Sequence, residues 1–203
     1  IVKCHGLPGS ADQVSGIATG LAQAGFVVLT FDFRGFRRSE GVFSLRGEIE
    51  DAANAVSFLM SSQFCCQWVG IYGASFGGTI AICSAARDRR VKAVCVRAPV
   101  YDTLQFARSG LSDAVLAEVI EQRPGEPHNY GTQWAPSQMH RSLMRDASVF
   151  NPMKDVSRIT PRPLFITTGT ADTLISTEGV RSLFEAAGPP KELLMVEGAT
   201  HTL

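Results

Sequence analysis

The sequence predicts an α/β fold: a mostly parallel sheet of about six strands with helices on both faces, plus a helical cap insertion. Three observations predict it. The β-rich runs are continuously apolar rather than alternating, which marks strands buried on both faces. Segments of helical period separate them. One stretch without a strand, at about residues 103–160, interrupts the rhythm late in the chain.

The elements follow in order. Ile1-Val2-Lys3-Cys4 reads as the end of a strand, and residues 11–24 carry apolar positions at helical spacing. Phe26-Val27-Val28-Leu29-Thr30-Phe31 is a β-rich run. Residues 44–62 read as a helix with Ala52, Ala53, Val56, Leu59 and Met60 on one face. Trp68 to Tyr72 is a short buried strand, and Thr79 to Ala86 a helix. Further strands are read at Val91–Val96, Pro163–Thr168 and Glu192–Val196, with a helix at 176–187. The strandless stretch holds helical segments from Ser112 to Gln122 and from Ser137 to Ala147. Its middle, Pro124 to Gly131, is rich in Pro, Gly, His and Asn. An insertion there reads as a cap over the strand ends, where open α/β sheets place their ligands. The whole chain, 1–203, reads as one domain with this cap.

Composition narrows the function. The formal net charge is zero and no basic run stands out, which argues against a nucleic-acid partner. No apolar run approaches the length of a membrane span. Five cysteines without metal-type spacing read as free thiols in a reducing cytoplasm, with no metal site. Cys65-Cys66 in a turn is poorly placed for a mutual bridge. No signal peptide is visible, and the chain opens on Ile1 rather than Met. That beginning fits an excised piece, with or without a removed leader.

The chemistry concentrates at Gly73-Ala74-Ser75-Phe76-Gly77, a G-x-S-x-G match between a strand and a helix. A sharp strand-to-helix turn strains the corner residue and pushes its side chain outward. The flanking glycines let strand and helix approach. The helix N-terminus then offers an N–H and a favourable field to a developing oxyanion.

A serine hydroxyl needs a base to take its proton. Of the four histidines, His201 lies just past the last strand, His128 and His140 lie in the cap, and His5 ends the first strand. A base must sit near the strand ends, so His201 fits best and His5 reads as a positioning residue. The base needs an acid to fix its tautomer. Asp172 follows a strand through Gly169-Thr170-Ala171; Asp102 is its rival, and Asp155 lies in the link from cap to strand. The order Ser75, Asp172, His201 matches the chain order of G-x-S-x-G hydrolases. The turn His5-Gly6-Leu7-Pro8-Gly9 can aim an N–H at the carbonyl under attack, so the oxyanion donors are assigned to Leu7 and Phe76. Losing one such donor typically costs about a hundred- to thousandfold in rate.

Taken together, these residues resemble the α/β-hydrolase superfamily, in its serine esterase, dienelactone-hydrolase-like or S9-peptidase-like branch. The resemblance rests on His5-Gly6, Phe31 to Gly35 with Ser39, the Gly73–Gly77 elbow, Gly169 to Asp172, and Gly198 to His201. It implies a serine hydrolase without a cofactor, acting on a small-molecule ester. Short-chain or aryl esters are expected, with a serine peptidase, an acyltransferase or a non-catalytic binding protein as alternatives. Phe106, Leu111, Val115, Leu116, Tyr130 and Trp134 of the cap are candidates to line an acyl or aryl pocket. The loop at Asp32-Phe33-Arg34-Gly35 resembles one with a structural role, although Phe36-Arg37-Arg38 departs from the usual small and His residues. The resemblance also implies two further strands before residue 1 and a helix after residue 203. Their absence would leave apolar sheet surface to be covered by a partner, such as a second copy.

Overall fold

The computed structural model describes residues 1–12, 15–37, 39–64, 68–122 and 134–202. Its core is a six-stranded sheet of β1 (Val2–Cys4), β2 (Leu29–Thr30), β3 (Val69–Ala74), β4 (Val91–Arg97), β5 (Leu164–Gly169) and β6 (Lys191–Val196). The strand order is β2-β1-β3-β4-β5-β6, and every described pairing is parallel. The order in which successive strands are added reverses between β1 and β3, β2 lying on one side of β1 and β3 to β6 on the other. That crevice is where an open parallel sheet receives a ligand.

Eight α-helices cover the sheet among the described residues: α1 (Ser15–Gln23), α2 (Leu45–Ser61), α3 (Phe76–Ala85), α4 (Thr103–Ala107), α5 (Gly110–Glu121), α6 (Pro136–Ala147), α7 (Pro152–Asp155) and α8 (Thr177–Ala186). Every residue of α3 is buried. Its residues are small or apolar all round, with only Thr79 and Ser84 polar, because it has no solvent face. Ser44 caps α2 by accepting from Gly47 N–H at 3.0 Å, which meets one of the unsatisfied donors of a helix start.

The stretch from 103 to 160 holds α4 to α7 and a 3-10 turn at Val156–Ile159, with no strand among its described residues. The Pro124–Gly131 segment, with His128 and Tyr130, lies outside the described residues, as do Cys65, Cys66 and Arg38. The three described cysteines, Cys4, Cys83 and Cys95, are free thiols.

Two expectations change. The run from Phe26 to Phe31 shortens to the two-residue β2, because it lies at the edge of the described sheet and, among the described residues, pairs only with β1. Phe26 and Val27 are 41% and 45% exposed. On α2 the buried stripe includes Leu45, Ile49, Ala52, Val56 and Leu59, while Met60 is exposed. Beside α1, an apolar groove of about 690 Å³ is lined by Tyr72, Ala93, Cys95, Phe165 and Thr167 among others.

One buried group runs against hydrophobic patterning. Glu48, on the inner face of α2, is 1% exposed and its Oε1 has no hydrogen-bond partner. Burial pushes its carboxyl well above the usual carboxylate range, Asp51 adds to this, and Arg34 opposes it. The folded state therefore keeps Glu48 protonated where the unfolded chain ionises it, and stability falls as pH rises above about 4.5. Glu48→Gln is expected to be more stable than wild type by about 1–3 kcal/mol at pH 8. The gap should narrow toward pH 5 in urea titrations. A gap independent of pH would show that Glu48 is ionised in the fold.

Candidate active site

The strand β3 enters the site and α3 leaves it, with Ser75 at the corner. Its backbone has φ +54° and ψ −122°, a left-handed value that a non-glycine residue holds only under constraint, at about 1–3 kcal/mol. The constraint is visible. Ser75 N–H donates to the Arg97 carbonyl at 2.8 Å, and the Ser75 carbonyl accepts from Gly78 and Val100 N–H at 2.9 and 3.2 Å. The glycines make the approach possible. A Cβ on Gly73 would lie 2.0 Å from the Gly77 carbonyl oxygen, and one on Gly77 would lie 2.4 Å from the carbonyl oxygens of Cys4 and His5.

The loops after β5 and β6 bring the other two candidates together. His201 Nδ1 meets Asp172 Oδ2 at 2.7 Å, with the Asp172 side chain fully buried and that of His201 18% exposed. The second carboxylate oxygen, Oδ1, accepts from Leu174 and Ile175 N–H at 2.8 and 2.9 Å. The carboxylate is thus oriented by its own turn. The two loops are tied by Ala171 N–H to the Ala199 carbonyl at 2.9 Å and by Gly198 N–H to Thr170 Oγ1 at 2.8 Å. A Cβ on Gly169 would sit 2.1 Å from the Ala199 oxygen, so only glycine permits this contact.

Ser75 and His201 line one cavity of about 520 Å³, together with Leu7, Phe76, Arg97, Val100 and Phe106. No hydrogen bond joins the serine hydroxyl to the imidazole. The structure therefore places Ser75, His201, Leu7 and Phe76 around one space, and Asp172 directly behind His201. Phe76 is the first residue of α3, so its N–H has no acceptor within the helix.

The rivals are occupied elsewhere. Asp102 caps α4 through Leu104 and Gln105 N–H and accepts from Asn151 Nδ2. Asp155 pairs with Arg87 and Arg158. His140 pairs with Asp113 at 2.8 Å, joining α6 to α5.

His5 holds the loop that carries Leu7. Its Nε2 accepts from Phe33 N–H at 3.1 Å, so Nδ1 carries the proton and donates to the Gly6 carbonyl at 2.8 Å. The ring lies edge-on to Phe33 and Phe36, with centroids 4.8 and 4.9 Å away. Burial pushes its pKa down to about 4, with the Gly6 hydrogen bond opposing. His5 is therefore a neutral strut at physiological pH. Asp32 is structural too, accepting from Ala11 N–H at 2.6 Å through Oδ1. Its carbonyl takes the Ser39 hydroxyl at 2.7 Å.

Of the cap candidates, Phe106, Leu111 and Val115 line the cavity, whereas Leu116 and Trp134 are packed into the core. Tyr130 lies outside the described residues. Ala114 and Glu118 complete the α5 face at helical spacing from Leu111 and Val115, so the i, i+3, i+4, i+7 pattern could have found them. Leu174 and Ile175 follow from the turn that Asp172 caps. Arg97 carried no local signal, because its strand reads as an ordinary apolar run.

Similarity to known proteins agrees with the architecture. A model of the X-Pro dipeptidyl-peptidase (S15) family matches residues 6–202. Polyketide transferase ATR5 of Stachybotrys chlorohalonatus is 24% identical over 239 residues, covering 99% of this chain and 80% of its own. Two further relatives are covered over only 35% and 62% of their own length, by 46% and 99% of this chain respectively. The alpha/beta hydrolase GrgF from Penicillium sp. sh18 superposes with a TM-score of 0.76 at 21% identity, covering 98% of this chain and 81% of its own. Est1E from Butyrivibrio proteoclasticus, solved with ferulic acid, gives 0.78 at 19%, covering 99% and 80%. No described helix is long and apolar enough to cross a membrane. With its family match running from the Leu7 loop through His201, this chain, which has the α/β-hydrolase fold, belongs to the S15 family, whose model is described as X-Pro dipeptidyl-peptidase.

Proposed function

We propose that the chain is a serine hydrolase that cleaves short-chain or aryl carboxylic esters through an acyl-enzyme. One observation carries the reading: a strained Ser75 shares a cavity with an imidazole that a buried carboxylate holds at 2.7 Å. Asp172 occupies Nδ1 of His201, so Nε2 is the nitrogen available to the serine.

The steps follow from that assignment. Ser75 Oγ attacks the ester carbon while its proton moves to His201 Nε2. The carbonyl oxygen becomes an anion held by the N–H groups of Leu7 and Phe76. The C–O bond to the leaving alcohol breaks, and His201 gives that alcohol its proton. Water then attacks the acyl carbon, passes a proton to His201, and Ser75 departs with it. Hydrogen bonds of this kind tighten when substrate fills the site.

Apolar side chains of Phe106, Leu111 and Val115 in the cavity support an acyl or aryl group. The bound ferulic acid of Est1E, an aromatic acid, agrees with that. The free thiols support a cytoplasmic setting. A second reading, peptide cleavage, is favoured by the description of the matching family.

A fluorophosphonate probe is expected to label wild-type protein on Ser75 and to leave Ser75→Ala unlabelled. A folded wild-type sample that takes no label would replace the catalytic reading with a binding one. Parallel assays of p-nitrophenyl butyrate, a thioester and an X-Pro amide then rank the substrate classes. Turnover of the amide above the esters would favour the peptidase.

A further inference from the structure

We infer that Arg97 is a positioning residue that sets His201 relative to Ser75. The inference rests on the hydrolase reading and adds a residue to it.

Arg97 is the last residue of β4 and is only 7% exposed. It touches both the proposed nucleophile's residue and the proposed base's residue. Its carbonyl accepts the Ser75 N–H at 2.8 Å, and it stands in register with Ala74 on β3 and Thr167 on β5. The latter strand leads through Gly169 to Asp172. Its guanidinium Nη1 donates to the carbonyl oxygen of His201 itself. The backbone of one residue therefore fixes the nucleophile, and its side chain fixes the base.

Besides the loop ties at Gly198 and Ala199, His201 itself is held at two points, the ring by Asp172 and the main chain by Arg97. Without the Arg97 bond, the chain beyond the ties at Gly198 and Ala199 could pivot about Asp172 and carry Nε2 away from the serine. With both, the imidazole has a defined height over the sheet. Misplacement by about 1 Å is enough to cost on the order of a hundredfold in rate.

The electrostatics argue against a simple stabilising role. Among the described residues no carboxylate pairs with Arg97, and its Nε has no hydrogen-bond partner. Burying a guanidinium costs desolvation free energy that the His201 carbonyl and the nearby Tyr72 hydroxyl offset only in part. An apolar side chain of similar length would suit the fold at least as well. Stability and activity should therefore move apart on substitution, whereas a structural arginine would move them together.

The test compares Arg97→Met and Arg97→Lys with wild type on p-nitrophenyl butyrate. Arg97→Met is expected to lower kcat by about 30- to 100-fold. KM should stay within about twofold and Tm at or above wild type. Arg97→Lys keeps one donor and should recover at least about threefold of the lost kcat. Amide hydrogen exchange over residues 198–202 should speed up in Arg97→Met, a readout that needs no catalysis. A kcat within about threefold of wild type, or unchanged exchange over 198–202, overturns the inference. So does a fall in kcat matched by a fall in Tm. If Arg97→Met does not fold, the same split of kcat from KM is read in Arg97→Lys. Wild-type turnover that survives Ser75→Ala would instead sink the hydrolase reading, and the exchange measurement would still decide the positioning.

Discussion

Ser75→Ala is expected to lower kcat for p-nitrophenyl butyrate by about 10⁵–10⁶-fold, and His201→Ala by a similar factor. The double variant should be no slower than either single one. Residues that act as a unit are non-additive, because losing the nucleophile leaves the base nothing to deprotonate. Residual rate above water would come from the Leu7 and Phe76 donors and from binding.

Asp172→Asn separates chemistry from folding in the same series. An amide oxygen can still accept from Leu174 and Ile175 N–H, as Asp172 Oδ1 does. The turn should therefore survive and Tm should change little. The amide nitrogen would then face Nδ1 and demand the opposite tautomer, putting the proton on Nε2. The expected loss in kcat is about 10⁴-fold. Steady-state kinetics on the four variants, with circular dichroism as a folding control, check all of this. A Ser75→Ala enzyme within tenfold of wild type would refute the assignment outright.

Much of the candidate site was legible because its signals are local. Gly73 and Gly77 flank the serine within one turn, and backbone contacts of 2.0 and 2.4 Å to a would-be Cβ explain why nothing larger stands there. Asp172 and His201 each sit on a loop that closes a strand, so strand assignment alone placed them at one rim. The choice between Asp172 and Asp102 was different. Both follow a strand, and only tertiary structure shows that Asp102 is spent on capping α4 and holding Asn151.

Other features were hidden for the same physical reason: they depend on partners far along the chain. Arg97 sits in a run of apolar strand residues and acquires its contact 104 residues later. Glu48 has the composition of an exposed helix position, yet it faces inward. The run from Phe26 to Phe31 has strand propensity throughout, but an edge position in the described sheet gives it only one neighbour to pair with. Propensity reports what a segment would do if partnered, and the partner is a property of topology.

The loop that presents Leu7 should also make the fold sensitive to acid through His5. Its imidazole is 2% exposed and accepts a hydrogen bond from Phe33 N–H, a role only the neutral ring can fill. Burial pushes its pKa down to about 4 from an ordinary 6.5. Between those values the unfolded chain binds a proton that the folded chain refuses, so stability drops as pH falls through that window. The contribution is fully present above pH 6.5, and the interval corresponds to about 3 kcal/mol lost by pH 4. Glu48 works in the opposite sense, since its raised value favours the folded state at low pH. The two slopes oppose each other in wild type between about pH 4.5 and 6.5, where a single stability curve would not separate them. His5→Asn removes one of them. Its amide oxygen can still accept from Phe33 N–H, and any packing loss between Phe33 and Phe36 is independent of pH. Urea titrations at pH 7, 5.5 and 4 should therefore show the difference between wild type and His5→Asn shrinking or reversing by about 3 kcal/mol toward pH 4. Parallel curves would mean that His5 accepts a proton in the folded state, and that the loop carrying Leu7 is held by something other than a neutral imidazole.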